Sequence, residues 1–403
     1  MNTSKPTSMW RSLPRVTACL MALFITGCAS LPERHALPLE LTNKAGIPGI
    51  PEARFWADEW PKFSIKRLET FKNEDYQRNY PGIYKKPHNY LAISGGGANG
   101  AFGAGLFAGW TASGTRPEFT MVTGISTGAL TAPFAFLGSD YDDILKEVYT
   151  TTSTKDIAIN RNIFAAALSD SMADTEPLKK LIAKLITNEL IDKIVKEHKR
   201  GRRLFVGTVN LDAGRSVIWN IGAIAASDSP RKLELIREVL RASAAIPVAF
   251  PPVVISVEVN GKHYDEMHVD GGTGTQVFVY PAAVDWRKIT KKLKVKGKPK
   301  VYVIRNSFLD PDYRGVKRSV LPIASRSIDS LIRTQGIGDL YQIYALSKRD
   351  GNDFNLAYIP STFTEIPTEG FDPVYMKKLY KLGYESAING YQWKKEPPGF
   401  KLK

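Results

Sequence analysis

Residues 91–109, LAISGGGANGAFGAGLFAG, place an apolar run, three consecutive glycines and a small-residue helix in that order. A strand, a tight loop and a helix in succession form a unit of an α/β sheet, and the loop lies at the carboxyl end of the strand. Gly95, Gly97 and Gly100 also fit G-x-G-x-x-G, the spacing of loops that hold a dinucleotide pyrophosphate. The stretch therefore predicts an α/β fold with a loop that accommodates a negative charge.

The residues that follow the loop disfavour a dinucleotide. Such a site needs an acidic residue about 20 positions on, at the end of the second strand, to hold the ribose. The second predicted strand, FTMVTGIS, leads into the sequence GISTG at residues 124–128, and Glu118 lies before the strand and not at its end. The negative charge that this loop accommodates is therefore not the pyrophosphate of a dinucleotide.

The GISTG sequence fits G-x-S-x-G, a sharp strand-to-helix turn that presents a serine, here Ser126. Gly124 and Gly128 leave room for the strand and the helix to approach each other around this turn. An attacking serine creates a tetrahedral intermediate with a negative oxygen, which needs N–H donors fixed in place nearby. The consecutive glycines Gly95–Gly97 can supply them, so the two loops together predict a nucleophile beside an oxyanion hole.

The base for this serine is not a histidine in our interpretation. In the usual order of an α/β hydrolase the histidine comes last, and no histidine follows residue 268. We interpret His198, in KEHKRGRR, as a solvated helix end, and His263 and His268 as structural or surface residues of a hairpin.

Asp270, in HVDGGTGT, is the better candidate, because a strand delivers its carboxylate to a turn opened by Gly271 and Gly272. An ordinary Asp, with a pKa of about 3.9, is a poor base, and burial beside an apolar acyl site would raise that value. A plain D-G-G turn is the alternative interpretation.

Three motifs in this order, GGGANG at 95–100, GISTG at 124–128 and DGG at 270–272, resemble the patatin-like phospholipase family. The resemblance runs from about Tyr90 to Asn306. It implies a three-layer α/β/α fold with a mainly parallel central sheet, and hydrolysis of lipid acyl esters through an acyl-enzyme, with no metal and no other cofactor. The site residues that it implies are the Ser126–Asp270 dyad and an oxyanion hole from Gly95, Gly96, Gly97 and Gly100. Family members often carry Arg or Lys where this chain has Asn99.

The N-terminus predicts export and a lipid anchor. Three basic residues precede an apolar run, Val16–Gly27, which is too short to span a bilayer but fits a secretory signal. The sequence ITGCAS resembles the lipobox of bacterial lipoproteins, which implies cleavage before Cys28 and acylation of that cysteine. Cys19 would be removed with the signal, so the mature chain would have no disulfide. Ala29 favours the outer membrane of the bacterial envelope over the inner one.

The formal net charge of +15 favours anionic partners. Residues 285–300, DWRKITKKLKVKGKPK, hold eight Lys or Arg and one Asp. We leave two interpretations open: a solvated lead into the next strand, or a surface that attracts anionic lipid headgroups. No aromatic residues alternate with the basic ones, which argues against a nucleic-acid partner, and no protein partner is predicted.

The chain divides into a signal peptide at 1–27, a tether and N-terminal extension at 28–88, a patatin-like acyl hydrolase domain at 89–345, and a C-terminal extension at 346–403 that packs on this domain. Phe55, Trp56 and Trp60 are expected to pack on the main domain. The predicted activity is of phospholipase A or lysophospholipase type on membrane lipids. The alternatives are an esterase or acyltransferase acting on other acyl esters, and a non-catalytic envelope lipoprotein that binds lipid.

Overall fold

A computed structural model describes residues 33–162, 169–311, 313 and 315–400 of the chain. Its strands in these ranges are β1 Arg54–Trp56, β2 Asn89–Ile93, β3 Met121–Gly124, β4 Ile159–Asn160, β5 Ala173–Asp174, β6 Arg203–Asn210, β7 Arg215–Asn220, β8 Val253–Val259, β9 Lys262–Asp270, β10 Lys300–Phe308 and β11 Asp353–Ile359.

The described helices are α1 Lys62–Thr70, α2 Asn73–Asn79, α3 Gly100–Ala112, α4 Thr127–Leu137, α5 Asp142–Thr151, α6 Thr154–Ile157, α7 Glu176–Leu185, α8 Asn188–Lys199, α9 Ile221–Ala226, α10 Lys232–Ser243, α11 Trp286–Lys292, α12 Val320–Asp350 and α13 Pro373–Ala387. The sequence pattern predicts two amphipathic helices near 320–348 and 372–391, and these are α12 and α13.

The central sheet has the strand order β1-β7-β6-β3-β2-β10-β11. The five strands from β6 to β11 are parallel, whereas β7 and β1 extend the sheet antiparallel beyond β6. The β8–β9 hairpin, which turns at Asn260–Gly261, joins the sheet where β9 pairs antiparallel with the last three residues of β6. Helices cover both faces, so the predicted α/β class with a mainly parallel central sheet is confirmed.

The central strands are apolar throughout because both of their faces are covered. Alternate residues of β2 belong to different cores: Leu91 and Ile93 pack with α3 and α4, whereas Tyr90 and Ala92 pack with α12. All four side chains are buried. The carboxyl ends of β2, β3 and β10 meet at one edge of the sheet, and this edge carries the loops singled out above.

The small residues of α3 serve its contact with α13. A Cβ atom added to Gly105 would lie 2.0 Å from the carbonyl oxygen of Tyr380, and one on Gly109 would lie 2.3 Å from that of Tyr384. In return, a Cβ on Gly383 would lie 2.2 Å from the carbonyl oxygen of Phe102. The two backbones therefore touch, and any larger side chain at these positions would separate the helices.

The N-terminal extension is less of a tether than the sequence predicts, because part of it folds onto the main domain. Leu37 and Ile50 are buried, and β1 pairs with β7 at the sheet edge. Phe55 contacts the Phe205 ring at 5.8 Å, and Trp56 packs against the main core. By pairing with β7, strand β1 satisfies backbone N–H and C=O groups that β7 would otherwise leave unpaired at the sheet edge.

Candidate active site

Ser126 stands on a strained turn between β3 and α4. Its φ of 56° and ψ of −128° lie in a region that side chains rarely adopt. The turn closes because its flanking residues have no side chains: a Cβ on Gly124 would lie 2.3 Å from the Gly128 carbonyl oxygen, and one on Gly128 would lie 2.3 Å from that of Ile93. The motif is thus folded as the sequence predicts, with the serine at its apex.

The backbone of this turn is held by a residue that the sequence analysis did not single out. Ser243, at the end of α10, accepts a hydrogen bond from the Ser126 amide at 3.0 Å and donates one to the Gly207 carbonyl of β6 at 2.7 Å. The Ser243 side chain is fully buried. Its hydroxyl therefore links the serine turn to the neighbouring strand, a contact between distant parts of the chain that no local pattern signals.

Asp270 ends β9 and lies against the serine. One carboxyl oxygen accepts a hydrogen bond from the Gly272 amide at 2.7 Å, and the Ser126 hydroxyl lies close enough to act on this carboxyl. Burial raises the pKa of Asp270 to about 7, although the interactions with Ser126 and Gly272 lower it. The structure therefore brings together the two side chains that the resemblance pairs.

The glycine loop after β2 offers fewer amide donors than expected. The Gly95 amide donates to the Gln276 carbonyl at 3.3 Å, and the Gly100 amide donates within its own 3₁₀ turn to Gly97 and Ala98. These two amides are therefore engaged in this structure, and their assignment as oxyanion donors stays a prediction. Among the hydrogen bonds of the described residues, none begins at the amide of Gly96 or Gly97.

Gly96 has a φ of 155° and lies against the end of β10, where a Cβ atom would come 2.1 Å from the Asn306 carbonyl oxygen. Only glycine fits this approach, which turns the loop toward the serine. Gly97, with a φ of 55°, lines the same cavity as Ser126.

Gln276 connects the glycine loop to the aspartate loop. Its carbonyl accepts from Gly95, its side-chain amide donates to the Gly272 carbonyl at 2.6 Å, and its own backbone amide donates to the Asp339 carboxylate at 2.6 Å. Burial raises the pKa of Asp339, on α12, to about 6. Neither residue was predicted, because their neighbours come from separate parts of the chain.

Asn99, the departure from the family pattern, is braced by the C-terminal region. Its side-chain oxygen accepts a hydrogen bond from the Tyr375 hydroxyl of α13 at 2.7 Å. This contact ties the glycine loop to α13 without a positive charge.

An apolar cavity of about 80 Å³ opens beside Ser126. Three residues of the apolar stretch 242–255, ASAAIPVAFPPVVI, line the cavity, namely Ala244, Ile246 and Phe250. Aliphatic and aromatic side chains of α4, α5 and α7 form the rest of the wall, including Leu130, Phe134, Val148, Leu178, Leu181 and Ile182. The cavity is therefore suited to a hydrocarbon group attached to the carbon that the serine would attack.

The histidines lie away from this site. No hydrogen bond joins a histidine to Ser126 or Asp270 among the described residues. His268 is buried and bonds Thr208 and Glu266, and His263 is exposed, so both are structural or surface residues as predicted. The prediction of a solvated His198 is wrong, because its ring packs against Gly222 of α9 and burial lowers its pKa to about 3.

Other predicted features lie elsewhere. Cys28 and the signal segment are outside the described residues. The basic stretch 285–300 leads into the first residue of β10, at the amino end of the parallel strands and thus opposite Ser126. Within the described ranges no group of three or more His, Cys, Asp or Glu could hold a metal ion. No described helix is both long and apolar enough to cross a membrane.

Fold and site together define an α/β protein of the hydrolase type, with a serine on a strand-to-helix turn at the carboxyl edge of the sheet and a buried carboxyl group beside it. Residues 91–283 match the family model described as patatin-like phospholipase. The chain therefore carries a patatin-like phospholipase domain, and the resemblance is confirmed. The match to this family suggests a lipid acyl hydrolase activity.

Among solved structures, the chain is similar to the crystal structure of VipD from Legionella pneumophila, with 14% identity and a TM-score of 0.37. The match covers 76% of this chain and 66% of the VipD chain. No curated protein matches the chain.

Proposed function

We propose that this protein is a lipid acyl hydrolase of phospholipase A or lysophospholipase type that uses Ser126 as nucleophile and Asp270 as general base. The observation that carries the proposal is the contact of the Ser126 hydroxyl with a buried carboxyl whose pKa is raised to about 7. A base with a pKa near the working pH is present in its unprotonated form and still binds a proton well enough to take it from a hydroxyl.

In the first half of the reaction the Asp270 carboxylate takes the hydroxyl proton as the Ser126 oxygen attacks the ester carbonyl carbon. The carbonyl π electrons move to the oxygen, which becomes the oxyanion. When the tetrahedral intermediate collapses, the carbon–oxygen bond to the leaving alcohol breaks, and Asp270 returns the proton to that alcohol. A lysolipid or glycerol derivative leaves, and the acyl group remains on Ser126.

The amides of Gly96 and Gly97 are the donors that we assign to the oxyanion. Neither has a partner among the described hydrogen bonds, and Gly97 lines the cavity with Ser126. The first turn of α4 begins directly after Ser126, so its partial positive charge supports the same oxygen. Loss of one such donor typically lowers kcat by about 10²–10³.

In the second half Asp270 takes a proton from water as the water oxygen attacks the acyl carbon. When this tetrahedral intermediate collapses, the bond between the acyl carbon and the Ser126 oxygen breaks, Asp270 returns the proton to that oxygen, and the fatty acid leaves. The apolar cavity beside Ser126 would hold the acyl chain during both steps. Its wall has hydrocarbon side chains where a headgroup would need polar partners. The headgroup is therefore expected to lie outside this cavity, at the mouth of the site.

We also propose that the protein is anchored in the bacterial outer membrane through lipidated Cys28, which would hold it at its substrate. A Cys28→Ala form should then carry no acyl groups at its N-terminus. Mass spectrometry of the mature N-terminus checks this, and an unmodified Cys28 in wild-type protein would contradict it.

The catalytic assignment is tested with purified Ser126→Ala and Asp270→Asn proteins. Each should lower release of fatty acid from phospholipids by about 10³ or more, because each removes a group that acts in the transition state. A fluorophosphonate probe should label wild-type protein and not Ser126→Ala. Asp265→Asn, a carboxyl of the same strand that is hydrogen-bonded to the His35 amide, is the matched control and should keep full activity.

A panel of phospholipids, lysophospholipids and short-chain esters, with products identified by mass spectrometry, separates the lipid hydrolase from an esterase or acyltransferase. Wild-type rates in Ser126→Ala, or an absence of probe labelling under every lipid condition, would contradict the proposal.

A further inference from the structure

Helix α12 has two halves with different surroundings. Leu340, Ile343 and Tyr344 in its second half pack on the sheet. Over residues 320–335, in contrast, no described side chain is buried. At 1.5 Å per residue this first half is about 24 Å long, and it receives little cover from the rest of the molecule.

The uncovered half lies at the same edge of the sheet as Ser126. The helix ends beside the start of β11, where the Asn352 amide bonds the Ser347 carbonyl and the Asp353 amide bonds that of Pro299. It therefore runs antiparallel to the strands, and Asp339 reaches the aspartate loop through Gln276. The first half consequently extends past the carboxyl ends of the strands, where the serine site opens.

This half exposes an apolar stripe. Val320, Ile323, Ile328 and Leu331 are 82%, 49%, 44% and 69% exposed. At about 100° per residue they fall within an arc of about 140°, which is the width of an amphipathic face. Singly exposed apolar residues are normal on a protein surface, but a continuous stripe marks a surface that binds something.

The charge around the stripe favours an anionic partner. Residues 315–335 contain Lys317, Arg318, Arg326 and Arg333 and one acid, Asp329. Lys317 and Arg318 are both exposed. An apolar helix face flanked by basic residues is the pattern of helices that lie in the headgroup region of anionic membranes.

The mouth of the site also exposes apolar residues. Ile246, which lines the cavity at Ser126, is 38% exposed, and Val248 beside it is 62% exposed. The basic stretch 285–300, which the sequence suggested as a lipid-facing surface, is at the opposite end of the strands. If that stretch met a membrane, the serine would face away from it.

We propose that residues 315–335 dock on an anionic phospholipid bilayer, with the apolar stripe in the interface, and so set the mouth of the Ser126 site against its lipid substrate. This inference rests on the proposed function, because it names the surface on which that function operates.

Docking is tested with the full chain carrying Cys28→Ala, which removes the lipid anchor, and Ser126→Ala, which prevents turnover. We expect it to sediment with vesicles of phosphatidylethanolamine and phosphatidylglycerol. Adding Ile328→Asp and Leu331→Asp should weaken binding about 100-fold, since each buried aliphatic side chain contributes about tenfold or more. Leu39→Asp with Val254→Asp, two exposed apolar residues outside α12, is the charge-matched control and should bind as the parent does.

Lys317→Gln and Arg318→Gln form a second test that leaves the stripe intact. Each should weaken binding to the anionic vesicles by about fivefold and leave binding to phosphatidylcholine vesicles unchanged. In the Cys28→Ala chain with Ser126 present, Ile328→Asp with Leu331→Asp should leave hydrolysis of a soluble short-chain ester unchanged and lower hydrolysis of vesicle lipid.

Equal vesicle binding by the parent and the Ile328→Asp, Leu331→Asp protein would overturn the proposal, as would an equal loss in the control pair. A dimer in light scattering that this pair of substitutions dissociates would instead make the stripe a contact between two copies of the chain. Failure of all Ser126-containing proteins on the soluble ester would count against the proposed function and not against docking.

Discussion

At the scale of single residues, burial of Asp270 decides what the site can do. Exposed to water, this carboxyl would be a weak base with a pKa near 3.9. Burial of Asp270 at the end of β9 raises that pKa to about 7. Ser126 stands on a strained turn next to it, and this turn places the hydroxyl beside the carboxyl. In the proposed mechanism no histidine is needed, because desolvation gives the Asp270 carboxylate a basicity close to that of an imidazole.

The pH dependence of the reaction follows from this shift. Asp270 acts as a base only when it is deprotonated, so kcat/KM for a soluble ester should be constant above about pH 7 and fall about tenfold per pH unit below it. Rates measured from pH 5 to 9 check the prediction.

Asp339, whose pKa is raised to about 6, is the other carboxyl whose protonation could cause this fall in rate at acidic pH, here called the acidic limb. Asp339→Asn should leave the limb near pH 7 in place. A flat profile across the range, or a limb that disappears with Asp339, would contradict the role of Asp270.

At the scale of elements, the site is an assembly of loop ends fixed by a few hydrogen bonds. The Ser243 hydroxyl joins the end of α10 to β6 and to the serine turn, and Gln276 joins the glycine loop to the aspartate loop. Each link crosses between segments that are far apart in the sequence. The elements themselves were predictable from periodicity and turn residues, whereas these links were not.

Removing the link at Ser243 should slow the reaction more than it destabilises the fold. Ser243→Ala leaves the Ser126 amide without its acceptor, so the turn can shift, and we expect kcat to fall about 10- to 100-fold, since small displacements have effects of this size. Ser243→Thr keeps the hydroxyl and should restore most of the rate.

Ser347→Ala is the matched control, because Ser347 is a buried helix serine whose hydroxyl bonds only the Ile343 carbonyl. Kinetics on a soluble ester and thermal unfolding of the three proteins measure both effects. Unchanged kcat in Ser243→Ala would show that the contact does not position the nucleophile.

At the scale of the whole molecule, the N-terminal segment is joined to the strand that carries the base. Arg54 of β1 forms a buried ion pair with Glu266 of β9, and Glu266 also bonds His268. Burial alone would raise the pKa of Glu266, but the hydrogen bonds from Arg54 and His268 hold it at about 2. Glu266 lies four residues before Asp270, so the pair ties the N-terminal segment to the strand that ends in Asp270.

Breaking this pair should destabilise the whole chain. Arg54→Met leaves the Glu266 charge buried without its partner, and we expect a loss of about 3 kcal/mol in the free energy of unfolding. Arg34→Met is the matched control, because Arg34 forms a more exposed pair with Asp212 and should cost less than about 1 kcal/mol.

Urea denaturation of the two variants measures the difference. The double variant Arg54→Met, Glu266→Gln should recover part of the loss, because it removes the orphaned charge. Equal stability of Arg54→Met and Arg34→Met would contradict a structural role for the buried pair.

The sequence by itself determined the elements and the chemical types at the site. Glycines at 95–97 and 124–128 permit only certain turns, and apolar spacing distinguishes strands from helices, because both depend on neighbours along the chain. It could not tell which amides are engaged, that the His198 ring packs against α9, or which end of the sheet the basic stretch 285–300 occupies. Tertiary structure decided these points, together with the pKa of Asp270 and the uncovered half of α12. Each depends on which distant segments pack together and exclude water, and that is a property of the folded chain.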